Sequence, residues 1–320
     1  MRTQSGVALI TAVMVVAMAS IAALAMTQTL QLSIHRTSNI LMADQRYLYT
    51  LGSEAWARGQ LIRDLASDNP YDGLDEDWAK ELPLTTVEEG QVYAKTSDLQ
   101  GLFNLNNLYL EEQSEQETSD SLKQQLAVFQ RLLSLLELNE GIAQATADWL
   151  DPDIQPLYPD GAEDNEYLGQ TPAYRTANTR MADPTELRLI NGVTSETYEK
   201  ISPYITTLPE STGVNVNTAS AILLRALIQP LDESNVEMLI NERKENPFKD
   251  TKAFMDRLNE LLSDNEKASI TNLEPMISVS SNYFQLETAV QMDNATQRLV
   301  SLLYKSSQGV STLSRRLGSY

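Results

Sequence analysis

The sequence contains no cysteine and a single histidine, His35. Without cysteine the chain has no disulfide, no thiolate metal site and no thiol nucleophile. One imidazole leaves histidine-based zinc sites and Ser-His-Asp chemistry without material. Basic residues are also scarce: 24 Lys and Arg stand against 44 Asp and Glu in 320 residues, a formal net charge of −20. Such a surface repels phosphate backbones and attracts cations and basic protein surfaces. Aromatic residues are only 7%, but hydrophobic residues reach 42%, too many for a disordered chain. The length suits two domains, or one domain carrying an insertion.

Charge is missing altogether from Val7 to Ile34, where VALITAVMVVAMASIAALAM is apolar almost throughout. Twenty such residues in a helix span about 30 Å, the thickness of a bilayer core. A cleaved secretory signal is the competing explanation, with small residues near Ala23 imitating a cleavage site. The residues beyond Ile34 argue against it. Leu41, Leu48, Leu51, Ala55, Ile62 and Leu65 continue as one helical stripe, with no boundary between anchor and body. The pattern predicts a single helix from Val7 to about Leu65, its first half bare and its second half laid on a globular body through that stripe. Arg2 before the span and the acidic bulk after it place the body outside the cytoplasm.

The rest of the chain changes character three times. Gln91–Thr96 reads as a strand, and Ile277–Met292 with Arg298–Ser307 as a hairpin around DNATQ. Between them lie helical patterns, from Leu122-Leu126-Phe129-Leu132-Leu136 and Ala143-Ala147-Leu150 out to about Leu273, after a Glu/Gln/Ser-rich stretch at Glu111–Glu117. A lone hairpin is marginal, so the distant strands form one antiparallel sheet against the long helix. The fold class is α+β: a long N-terminal helix packed on an antiparallel sheet, with a large inserted, mostly helical domain. The boundaries are 1–6 for a leader, 7–34 for the transmembrane half of the helix, 35–107 and 274–320 for the core, and 108–273 for the insertion.

The densest polar cluster is DPDIQPLYPDGAEDNEY, with Asp151, Asp153, Asp160, Glu163, Asp164 and Glu166 and no Lys or Arg. Carboxylates so crowded repel unless a cation sits among them or they splay into water. Calcium takes six to eight oxygens, which such a loop supplies, but the EF-hand spacing is absent, and composition leaves a calcium loop and a solvated loop both open. Trp149 would anchor the loop by burial. LRLINGVTSETYEKISPYIT and GVNVNTASAILLRAL resemble helix-hairpin-helix units, the second with Asn217 or Thr218 as a possible N-cap. With only Arg188 and Lys200 near the first turn, a packing module fits better than a phosphate grip. Trp56, Trp78 and Trp149 read as core, and Arg315–Arg316 as a surface pair available to an acidic neighbour.

A short leader ending in Gly6, followed at once by an apolar helix that runs into a body, resembles the type IV pilins and pseudopilins. In that class a prepilin peptidase cuts after the glycine, here between Gly6 and Val7, and the new amine of Val7 is methylated. Most members carry glutamate at the fifth mature position; here it is Thr11. A carboxylate at bilayer depth persists only where a partner compensates it, and the resemblance to pilins implies that this partner is the free amine of the subunit already in place. Its absence therefore suits a subunit that starts a fibre.

GVALITAVMVV, LGSEAWARGQL, DLQGLFNLNNL, DWLDPD, PDGAEDNEY, ADPTELRLINGVT and VNVNTASAILL, in this order, are similar to the minor pseudopilin K family of type II secretion. That resemblance implies a non-enzymatic tip subunit of the periplasmic pseudopilus that helps initiate its assembly. It implies minor pseudopilins I and J as partners, minor pseudopilin H and major pseudopilin G below, and a single-pass inner-membrane anchor with the body in the periplasm. It also implies structural Ca²⁺ in the inserted domain, carried over to Asp151, Asp153, Asp160, Glu163 and Asp164. The rival expectations are a membrane-anchored helix-hairpin-helix module that binds nucleic acid and, on acid count alone, an anchored carboxylate hydrolase; net charge speaks against nucleic acid.

Overall fold

The computed structural model describes residues 5–67, 69–88, 90–109 and 115–319. The expected leader therefore lies largely outside the described residues, as do positions 111–114 of the Glu/Gln/Ser-rich stretch. A helix, α1 (Ser5–Leu65), runs 61 residues without a break, about 90 Å at about 1.5 Å per residue. It is the one helix, among the described residues, long and apolar enough to cross a membrane; its most apolar 18-residue window has mean hydropathy 2.6 and no burial.

After α1 come β1 (Leu82–Val87) and β2 (Gly90–Asp98), then β3 (Phe103–Asn104). The helical part is next: α2 (Glu115–Leu135), α3 (Ile142–Leu150), α4 (Asp164–Tyr167) and α5 (Ser195–Ile201). Beyond β4 (Ile205–Thr206) and β5 (Val214–Asn215) stand α6 (Ala221–Leu227), α7 (Glu233–Glu245), α8 (Thr251–Leu261) and α9 (Asp264–Lys267). The chain closes with β6 (Ile277–Ser278), β7 (Tyr283–Met292), β8 (Ala295–Ser306) and β9 (Gly309–Ser319). The fold is α+β. The main sheet is antiparallel with order β1-β2-β7-β8-β9. β2 pairs with β7 from Gly90↔Met292 to Asp98↔Phe284, so everything between 99 and 282 leaves the sheet and returns to the adjacent strand.

The hairpin turns at Asp293–Asn294, tighter than the expected DNATQ, with Asp293 at φ 53°. Two strands of the main sheet escape the sequence reading. β1 (LPLTTV) is an exposed edge, and β9 (GVSTLSRRLGS) carries too many polar residues to show alternation.

The docked face of α1 also differs from the expected one. Leu41, Leu48, Ala55, Ile62 and Leu65 are exposed and Leu51 is half-buried. Thr50, Ser53, Glu54, Ala57 and Leu61 are buried instead. The reason is polar pairing. Glu54 accepts hydrogen bonds from Ser301 Oγ (2.7 Å) and Thr312 Oγ1 (2.8 Å), and from Arg315 through Nε and Nη2 (both 2.7 Å). Arg58 donates to the Val310 carbonyl from Nε (3.2 Å) and Nη2 (2.7 Å). Ala57 and Leu61 then meet Trp78, Ala94, Phe284, Leu286 and Leu303, with Trp78 edge-on to Phe284 at 5.0 Å. The apolar stripe faces away from the body.

The helical part has its own core, in which Phe103 stacks on Phe129 at 5.2 Å and Trp149 meets Tyr167 at 5.3 Å. Its asparagines act as backbone substitutes. Asn106 takes the Met181 N–H on Oδ1 and returns Nδ2 to the Met181 carbonyl; Asn217 pairs in the same two ways with Phe248. The N-cap of α6 is Ser220, not Asn217 or Thr218. Trp78 and Trp149 are core residues, and Trp56 is half-buried.

Candidate metal centre

α3 is buried over almost its whole length, from Ile142 to Leu150. Asp148 on it is fully buried and accepts the Leu157 N–H at 3.1 Å, which folds the following loop back onto the helix. Gln144 clasps the same loop, donating to the Tyr158 carbonyl and accepting from the Asp160 N–H, both at 3.0 Å. The return is so close that a Cβ on Gly161 would stand 2.2 Å from Asp148 Oδ2 and 2.4 Å from the Leu157 backbone. Glycine is the residue that fits there.

The folded loop brings Asp151, Asp153 and Glu163 together, one carboxylate oxygen of each lying within 4.8 Å of the others. Asp151 ends α3, and Glu163 precedes α4. Asp151 is 7% exposed and Glu163 4%. Asp151 Oδ1 and both carboxylate oxygens of Glu163 are buried without a hydrogen-bond donor. Burying acceptors unpaired costs about 1–3 kcal/mol each, more when they are charged. Burial, then the neighbouring acids Asp153, Asp148 and Glu163, push the Asp151 carboxyl up to about 7. Burial, then Asp148 and Asp153, push Glu163 to about 7. Burial raises Asp148 to about 6, against the backbone hydrogen bonds that lower it.

The trio does not include the other two expected ligands. Asp160 is exposed, with its side chain beside Gly141 at the start of α3. Asp164 Oδ1 accepts the N–H and hydroxyl of Thr176, both at 3.1 Å, and its Oδ2 pairs with Arg175 at 3.4 Å. It clamps the segment after α4. Sequence density missed Asn178, whose N–H donates to the Trp149 carbonyl at 3.0 Å and whose Oδ1 is buried and unpartnered. It stands beside the end of α3, with left-handed φ (48°) as its local mark, and offers a further amide oxygen. Oxygen donors only, two of them nearly inaccessible carboxylates, fit a hard cation of the Ca²⁺ type.

A second acidic group, Asp64, Asp72 and Glu76, already has partners within the chain. Lys305 Nζ pairs with Asp64 at 2.8 Å and with Asp72, while the Ser281 N–H donates to Asp72 and Trp78 Nε1 to Glu76. This cluster fastens the end of α1 to the sheet. At the helix-hairpin turn, Lys200 pairs with Glu196 at 3.8 Å and Arg188 lies over the Tyr198 ring at 5.6 Å, so both nearby cations are engaged. Arg315 and Arg316 pair inside the chain, with Glu54 and Asp183. Gly6 and Val7 sit in the first turn of α1, where a Cβ on Gly6 would meet nothing within 4 Å. Thr11 Oγ1 bonds back to the carbonyls of Val7 (3.1 Å) and Ala8 (3.0 Å).

The raised carboxyls set a pH signature. All three bind protons more tightly folded than unfolded, so metal-free protein loses stability as pH rises from about 4 to about 7. Urea titrations across that range in chelator are expected to show this fall, and saturating Ca²⁺ to flatten it.

Two family models described as type II secretion system (T2SS), protein K match residues 101–210 and 214–279. Over 99% of its length the chain is 35% identical to the type II secretion system protein K of Pseudomonas aeruginosa, covering 94% of it. It is 32% identical to the Klebsiella pneumoniae protein of that name, again over 99% of the chain, covering 97% of the relative. The chain belongs to the type II secretion system protein K family. Its fold also matches a solved chain from the GspK-GspI-GspJ complex of enterotoxigenic Escherichia coli, with TM-score 0.74 and 24% identity over 88% of this chain and 99% of that one. The protein K family is a family of structural pseudopilins. The asparagine clasps and the carboxylate loop both fall within the matched regions.

Proposed function

We propose that the chain is a membrane-anchored minor pseudopilin that assembles at the tip of the pseudopilus with minor pseudopilins I and J. The observation that carries this is α1: a helix whose first thirty residues are bare apolar surface and whose apolar stripe continues, exposed, along the body. A surface of that kind is buried by lateral packing against other subunits' helices, which also takes it out of the bilayer without exposing it to water. Thr11, self-satisfied and uncharged, suits the first subunit of a fibre, with minor pseudopilin H and major pseudopilin G following below. The function is assembly rather than catalysis, with the anchor in the inner membrane and the body in the periplasm.

Calcium bound by Asp151, Asp153 and Glu163, with Asn178 as a further donor, is a structural part of this reading. It would fix the loop against α3 in a chain that has no cysteine.

Processing provides the test. Among the described residues nothing packs against position 6 in a way that requires glycine, which supports a requirement set by the prepilin peptidase. Gly6→Ala is expected to leave the precursor uncut in cells, while wild-type protein shows the mass of a chain starting at methylated Val7. A wild-type product trimmed near Ala25 and released from the membrane would overturn the reading.

A further inference from the structure

Charge divides the molecule. From Val7 to Thr50 the charged side chains are Arg36, Asp44 and Arg46, two basic against one acidic, with His35 beside them. Residues 51–320 carry 21 basic (24 less Arg2, Arg36 and Arg46) against 43 acidic (44 less Asp44). The stalk is weakly positive and the body strongly negative.

Arg46 is half-buried in a cleft of about 350 Å³ between α1 and the β7–β8 turn. Asn39, Met42 and Arg46 form the helix wall; Met292, Asp293, Asn294 and Ala295 form the other. Arg46 makes no hydrogen bond with any described residue, and no described carboxylate, Asp293 included, lies within 4 Å of it. A guanidinium has five donors, and holding it partly out of water without a counter-charge is unfavourable. In a chain with 44 acidic residues, no described one pairs with this arginine. No described residue supplies that anion, and a neighbouring molecule can.

Its source is set by distance. Twenty residues from Val7 bring the helix to Met26 at the far side of a hydrocarbon core about 30 Å thick. Counted from Ile34, where the uncharged run ends, Arg46 is still twelve residues further along, about 18 Å, whereas the headgroup layer is only about 5–8 Å deep. Lipid phosphate does not reach it. A protein carboxylate does, and the exposed Leu41, Tyr47 and Leu48 on adjoining surfaces of α1 supply apolar contact around it. The two methionines give the cleft an apolar, adaptable floor.

Resting on the assembly reading above, we infer that the cleft between α1 and the β7–β8 turn is the seat of an aspartate or glutamate side chain from a neighbouring pseudopilin, with Arg46 as its counter-charge. The acid packs over Met42 and Met292, and the side-chain amides of Asn39 and Asn294 are available to its second oxygen. This contact orients the neighbour on the stalk, where apolar packing alone would let it slide along the helix.

The test uses the full chain in detergent with pseudopilins I and J of the same secretion system. Arg46→Glu is expected to weaken binding at least tenfold and Arg46→Lys by less than threefold. The melting temperature of either variant stays unchanged, because Arg46 has no partner among the described residues. Reversing one acidic residue of the partner to arginine restores binding to Arg46→Glu. Arg46→Glu binding within twofold of wild type overturns the inference and leaves the assembly reading standing; wild-type protein that binds neither I nor J overturns both. A drop in melting temperature, or no rescue by any partner reversal, assigns Arg46 to internal structure and overturns the inference. So does loss of self-association, or of binding to phosphatidylglycerol vesicles, with I and J binding intact, since the occupant would then be a second copy or a lipid phosphate.

Discussion

Wild-type protein in millimolar Ca²⁺ melts about 5–10 °C above the same protein in chelator, and Asp151→Asn with Glu163→Gln abolishes the difference. A ligand present at a hundredfold excess over its Kd adds about 2.7 kcal/mol, and each kcal/mol moves the melting temperature by about 2–4 °C for a cooperative unit the size of the inserted domain. The double variant also carries a sign that discriminates. Asp151 and Glu163 have buried acceptors with no donors and carboxyls raised to about 7, so in chelator near neutral pH they repel each other and oppose folding. Their amide counterparts carry no charge. In chelator the variant therefore melts above wild type, whereas in Ca²⁺ it melts below. Equal losses in both conditions would show that the two carboxylates serve the fold without a cation. Asp160→Asn, outside the trio, is expected to leave the Ca²⁺ response intact.

The second large effect lies under α1. Arg315→Ala should cost about 3–5 kcal/mol in chemical denaturation, because it strands the Glu54 carboxylate, 3% exposed, without its counter-charge. Glu54→Gln should cost less, about 1–3 kcal/mol, since Arg315 is 44% exposed and water replaces its partner. The pH dependences differ in sign. Burial alone would raise the Glu54 carboxyl, but hydrogen bonds from Arg315, Ser301 and Thr312 outweigh it and hold it at about 2. That stability is present above the ordinary carboxylate range and is lost as pH falls toward 2. In Arg315→Ala the upward push of burial is left less opposed, so its deficit relative to wild type shrinks as pH falls. A deficit that grows on acidification would show that Glu54 is not held by Arg315.

The unbroken length of α1, the β7–β8 hairpin and the helical content between β2 and β7 were legible because each rests on local periodicity. The docked face of α1 was not. Apolar periodicity marks a surface that something will bury, and Leu41, Leu48, Ile62 and Leu65 are left free for another molecule, while the chain's own sheet takes Thr50, Ser53 and Glu54. β9 escaped because its inward Thr312 and Arg315 are polar residues that pair with Glu54, which erases alternation. At the carboxylate loop, composition located the cluster but could not say which acids share space. Gln144 and Asp148 set the path of the loop, and with it Asp160 comes to lie beside Gly141 at the start of α3 and Asp164 is taken by Thr176 and Arg175. Asn178 lies fifteen residues past Glu163 and reaches the end of α3 through a backbone hydrogen bond that no local pattern announces.

Assembly is the central claim, and stoichiometry is its most direct measure. The full chain, co-produced with pseudopilins I and J of its own system and solubilised in detergent, should elute as a single particle containing one copy of each by mass. Elution of the chain alone, with I and J recovered together without it, would contradict the account.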